Sequence, residues 1–122
     1  MGAFYVGALI ENHIDRKKSA RIPKLLVDTG SEHTWLPEAT LDKIEVIREK
    51  KDVSFVMANG TLVTRSVGFA VIRVHKYFTI DEVVFAEKGD LVLLGARTLE
   101  GLNLIVSPTR RKLVTAGPIP AA

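Results

Sequence analysis

The sequence predicts an all-β fold, a barrel or sandwich of short strands with one or two short helices. Short apolar stretches rich in Val, Ile, Leu and Phe recur along the chain. Turn residues separate them, most plainly at Asn59-Gly60, Lys88-Gly89-Asp90 and Pro108. Stretches with a helical period are brief and confined to residues 37–44 and 98–102. The 122 residues suffice for a single domain, residues 1–122, and not comfortably for two.

The elements follow in order. Residues 4–10 are aromatic and β-branched and read as a strand. Residues 11–24 are polar, with Arg16, Lys17, Lys18 and Arg21, and read as a solvated hairpin loop. Residues 22–27 form an apolar strand that runs into the polar turn Asp28-Thr29-Gly30-Ser31, and Thr34-Trp35-Leu36 returns to strand. Pro37 suits the first turn of a short helix through Ile44, with Leu41 and Ile44 on one face. Residues 47–52 are charged and poorly patterned.

Residues 53–74 read as two strands around Asn59-Gly60, a pair suited to a type I′ turn with positive φ at both positions. A turn at residues 75–77, a strand over 78–86 and a loop at 88–90 come next. A short apolar strand, residues 91–94, ends at Gly95. Residues 104–106 and 112–115 read as terminal strands around Pro108.

Composition excludes several function classes. There is no cysteine, so no disulfide framework and no thiolate metal site. His13, His33 and His75 have no metal-ligand spacing, and no metal or other cofactor is expected. The N-terminus, Met1-Gly2-Ala3-Phe4-Tyr5-Val6, lacks a basic and long apolar leader. Val6 stands where a myristoylation signal wants Ser or Thr. No apolar run reaches membrane-spanning length, and a soluble, cytoplasmic protein without a membrane partner is expected. A net charge of +3 is mild, and the cluster Arg110, Arg111, Lys112 reads as turn charge, so no nucleic-acid partner is expected.

No G-x-S-x-G, P-loop or G-x-G-x-x-G occurs. Asp28, Ser31 and His33 lie too close along one loop for a hydrolase triad. The sharpest feature is Asp28-Thr29-Gly30-Ser31, framed by the apolar Leu25-Leu26-Val27 and Thr34-Trp35-Leu36.

Three segments, in order, resemble the retropepsin-like aspartic proteases, particularly small stand-alone bacterial and archaeal forms. Residues 25–37 (LLVDTGSEHTWLP) resemble the catalytic loop, residues 55–63 (FVMANGTLV) the flap hairpin, and residues 91–104 (LVLLGARTLEGLNL) the apolar-apolar-Gly strand and its helix. The resemblance implies a closed, dimeric β-barrel. With a single Asp-Thr-Gly per chain, it implies a homodimer with one Asp28 from each subunit in the active site. It also implies an aspartic endopeptidase acting on peptides or unfolded proteins: like charges at contact distance do not both ionise, so the two acids would share one proton, the ionised one activating water and the protonated one polarising the scissile carbonyl. The terminal strands are expected to interleave at the dimer interface.

The same resemblance suggests roles for individual residues. Thr29 would link the two catalytic loops, Gly30 would let the backbone pass close to the carboxylates, and Ser31 would donate a hydrogen bond to Asp28. Glu32, Trp35, Leu91 and Leu93 would line substrate subsites, and Met57, Ala58, Asn59 and Gly60 the flap tip. Two departures stand out. Retroviral relatives pair an acid at the Glu32 position with an Arg directly after the glycine of the third segment, whereas here Ala96 follows Gly95 and Arg97 comes one residue later. Ser107-Pro108 stands where bacterial relatives often carry Asp-Pro. The rival expectation is a catalytically silent barrel of the same type that binds peptides or only dimerises.

Overall fold

Pairing starts with β1 (Tyr5–Asn12) and β2 (Ser19–Val27), an antiparallel hairpin in which Ile10 lies opposite Ala20 and Tyr5 opposite Leu26. A computed structural model describes residues 4–121, so the reading of Met1, Gly2 and Ala3 lies outside the described residues. The polar stretch expected as one long loop is mostly strand, and its turn spans only residues 13–18. Long-range partners explain the difference. Glu11 accepts a 2.8 Å hydrogen bond from Arg73, and the Asn12 amide donates to the carbonyls of Ile44 and Glu45 at 3.0 and 2.9 Å.

The chain continues through β3 (Thr34–Pro37), α1 (Glu38–Lys43), β4 (Lys50–Val56), β5 (Leu62–Val74), β6 (Tyr77–Ala86), β7 (Leu93–Leu94) and α2 (Ala96–Leu102). A hairpin of β8 (Leu104–Ser107) and β9 (Lys112–Thr115) forms a separate two-stranded sheet. The main sheet has seven strands in the order β1-β2-β7-β3-β6-β5-β4, and β1 also pairs with β5. The fold is thus mostly β with two short helices, as expected. Pro37 is the last residue of β3 and precedes the helix rather than sitting in its first turn.

The β4–β5 turn departs from the expected type I′. The Met57 amide donates to the Thr61 carbonyl at 2.8 Å, and the Gly60 amide to the Met57 carbonyl at 2.8 Å. Of the two central residues only Gly60 has positive φ, +83°. This is a three-residue loop, a tight turn followed by a left-handed glycine.

Strand alternation divides the apolar residues between two faces. Leu36, Val83, Phe85 and Leu94 enter the main core with Ile10, Leu25, Ile72, Leu99 and Leu102. Their neighbours Trp35, Val84, Ala86 and Leu93 enter a second cluster, against which Val53, Phe55, Met57 and Val63 of the β4–β5 hairpin pack. Burying a large side chain such as Phe85 contributes about 1.5–3 kcal/mol. The second cluster forms one wall of the cleft described next. Among the described residues, no helix is long and apolar enough to cross a membrane.

Candidate active site

The turn after β2 is held by the strand that follows it in space. β2 and β7 run parallel, with Leu26 opposite Leu93 and Val27 opposite Leu94. The Asp28 amide extends this ladder by donating to the Leu94 carbonyl at 3.0 Å. The Asp28 carboxylate then accepts the Gly30 amide at 2.9 Å, and the Ser31 amide closes the turn on the Asp28 carbonyl at 3.2 Å. A side chain at position 30 would begin 3.2 Å from that carboxylate, so glycine keeps the loop close to it.

The start of α2 clasps the same loop. Ala96 and Arg97 amides donate to the carbonyls of Ser31 and Glu32 at 2.7 and 3.0 Å. A Cβ on Gly95 would lie 2.3 Å from the His33 carbonyl oxygen, so only glycine fits at this crossing. The Gly95 amide donates to the Thr34 hydroxyl at 2.9 Å, which lies 2.5 Å from the Thr98 hydroxyl. Thr98 donates its one proton to Asp81 at 2.9 Å, so Thr34 donates to Thr98. This buried relay runs from backbone amide to carboxylate and leaves no member without a partner.

A cleft of about 640 Å³ opens beside the loop. Of the expected residues, Asp28, Gly30, Ser31, Glu32, Trp35, Met57, Ala58, Leu91 and Leu93 line it. Thr29 is exposed outside this lining, and Asn59 and Gly60 stand at the hairpin tip beyond it. Trp35 packs edge-on against Phe55, with ring centroids 5.2 Å apart. Trp35 and Leu93 are buried and Leu91 is 65% exposed, so the first two serve core and cleft wall together.

One expected interaction is corrected, and the departure noted at Arg97 has a structural outcome. The Ser31 hydroxyl donates to the His33 carbonyl at 3.1 Å, not to Asp28. The loop curls so that its hydroxyl satisfies its own backbone. Arg97 does not pair with Glu32. Its guanidinium lies 3.2 Å from His33 Nε2 and 3.8 Å from Glu82. The one-residue displacement after Gly95 puts this side chain toward β6.

Sequence reasoning missed several participants. His33, Val53, Ser54, Phe55 and Val56 also line the cleft. His33 Nε2 sits 3.3 Å from Glu82, which also takes Lys50 at 2.8 Å. The hydrogen bond from Lys50, joined by that from His33, holds the Glu82 carboxyl below the usual carboxylate range. The period-two alternation around Phe55 was the available signal for a strand face, but not for its partner across the cleft.

A model of the protein family described as "gag-polyprotein putative aspartyl protease" matches residues 16–101. No curated protein matches the sequence. Among solved structures, the chain is similar to the retroviral protease-like domain of Ddi1 from Leishmania major, with a TM-score of 0.60 and 14% identity. That likeness covers 94% of this chain and 89% of the other, and it concerns the fold.

Proposed function

The chain belongs to the retropepsin-like aspartyl protease family matched over residues 16–101, and from that premise we propose that it is an aspartic endopeptidase. The observation that carries the reading is the placement of Asp28. Its carboxylate lines an apolar-walled cleft and is fixed by the Gly30 amide on a loop pinned to β7 and α2.

One chain holds one Asp-Thr-Gly, so the active unit is a homodimer with an Asp28 from each subunit facing across a twofold axis. The strand pairings return from β5 to β1, which supports the closed barrel. The exposed Thr29 beside Asp28 is free to link the two loops. In the pair, the ionised carboxylate takes a proton from water as the water oxygen attacks the scissile carbonyl. The protonated carboxyl gives its proton to the carbonyl oxygen; as the C–N bond breaks, the carboxyl that took the water's proton gives it to the amine nitrogen and the other takes one back from a diol hydroxyl. The pair acts as a unit, so neither Asp28 holds one role permanently. The β4–β5 hairpin acts as a flap that covers the substrate and excludes water. Trp35, Phe55, Met57, Leu91 and Leu93 favour apolar residues beside the cut bond.

A second reading draws on the same count of acids. The same dimeric barrel, with its acid pair silent, binds peptides without cutting them or only dimerises. Incubating an unfolded protein with wild type and Asp28→Asn from acid to neutral pH separates the two readings. Fragments made by wild type and lost in the variant support the protease. Intact substrate with both, from folded and dimeric protein, supports the binding module.

A further inference from the structure

We propose that Glu32 makes this cleft select substrates carrying a lysine or arginine a few residues from the scissile bond. The proposal deepens the protease reading and rests on it for the cleavage measurement.

Glu32 lines the cleft and is exposed, and among the described residues its carboxylate makes no hydrogen bond and no ion pair. Its backbone is nevertheless fixed, because its carbonyl accepts the Arg97 amide at 3.0 Å. Arg97, whose backbone meets Glu32, turns its guanidinium toward Glu82 instead, 3.8 Å away. An anchored residue therefore presents to whatever enters a carboxylate that its own chain leaves uncompensated.

The rest of the lining strengthens the field. The chain has 17 lysines and arginines and a net charge of +3. Yet none of those cations lines the cleft, whose ionisable groups are Asp28, Glu32 and His33. Acidic groups between apolar walls attract a cation and disfavour an anion.

The chemistry of the walls names the cation. Lysine and arginine carry long apolar stems that pack on surfaces such as Trp35, Phe55 and Leu91, while the charged head reaches a carboxylate. Arginine adds the option of a paired hydrogen bond. Glu32 follows Asp28 by four positions on one loop, so the basic residue lies away from the cut bond itself.

The test uses peptides with one apolar cleavage core that differ only by Lys, Gln or Glu at each flanking position. For wild type at low salt, kcat/KM for the best Lys peptide exceeds its Gln counterpart by about three- to fivefold, the range of a partly solvated ion pair. The ratio shrinks in high salt. Glu32→Gln brings it close to one, and Glu32→Lys inverts it in favour of Glu. Glu100→Gln, which removes an equal charge outside the cleft, leaves the wild-type ratio in place. Binding of the same peptides to Asp28→Asn, with and without Glu32→Gln, reads the selectivity without catalysis. Selective binding without cleavage by wild type would sink the protease reading and keep the role of Glu32. A Lys-to-Gln ratio that is the same in wild type and Glu32→Gln overturns the proposal, as does a cleft that neither cuts nor binds any of the peptides.

Discussion

The Thr34 and Thr98 hydroxyls lie 2.5 Å apart, both fully buried, and join the loop that carries Asp28 to helix α2. On its far side Thr34 accepts from the Gly95 amide, and Thr98 donates to the Asp81 carboxylate. Thr98→Val keeps the shape and removes the link, leaving Thr34 and Asp81 each short of a partner. The expected loss of stability is about 1–3 kcal/mol. Thr34→Val should cost a similar amount. Because the two share one relay, the double variant should lose less than the sum, as read by urea unfolding of all four proteins.

Gly95→Ala tests the crossing of α2 over the loop. Its methyl group would start 2.3 Å from the His33 carbonyl, where backbone must shift to make room. Overpacking of this kind costs about 1–3 kcal/mol. Gly60→Ala provides the contrast. No atom lies within 4 Å of a Cβ there, and its φ of +83° supplies the penalty alone, about 1 kcal/mol. The Gly95 variant should also lose cleavage at temperatures where it is folded, since the displaced loop carries Asp28.

Asp90 anchors the turn leading into β7. It accepts two hydrogen bonds from Arg65, at 2.7 and 2.9 Å, and one from the Glu87 amide at 2.8 Å. The Arg65 bond holds its carboxyl below the ordinary value of 3.8. A depressed folded value stabilises the fold above the ordinary value, and that gain is lost as pH falls through the folded value. Asp90→Asn should therefore be less stable than wild type near neutral pH. The gap should close as pH falls through the folded value, where the native carboxyl is protonated too. Urea unfolding near neutral pH and at successively lower pH checks the sign.

The Ser31 hydroxyl bonds the His33 carbonyl and not the Asp28 carboxylate, which accepts the Gly30 amide instead. Ser31→Ala should cost stability of about 0.5–1.5 kcal/mol. The acidic limb of the pH–rate profile should stay where it is in wild type. A limb displaced upward would mean that the hydroxyl turns to Asp28 in the active enzyme.

The reading of the sequence found those elements whose signal is local. The Asp28 turn, the strand at Trp35, the hairpin at Asn59-Gly60 and the helix after Gly95 all announce themselves through neighbours a few residues away. It failed where partners are distant. Glu11 and Asn12 look like loop residues until Arg73 and the carbonyls of Ile44 and Glu45 are placed beside them. Thr34, Asp81 and Thr98 are three ordinary polar residues in sequence, and their relay exists only after β3, β6 and α2 converge. Phe55 stands in the hairpin segment of the sequence, and its contact with Trp35 is a property of the folded sheet. The exchange of Arg97 from Glu32 to Glu82 has a visible origin in the single extra residue after Gly95, and only the fold shows where the displaced side chain goes.

The central claim is that one active site is assembled from two chains. Refolding wild type together with an equal amount of Asp28→Asn tests it most directly. Random pairing leaves about a quarter of all dimers with two aspartates, so cleavage should fall to about half that of the same amount of wild type refolded alone. Cleavage unchanged by the added variant would contradict the account, because each wild-type chain would then carry a complete site of its own.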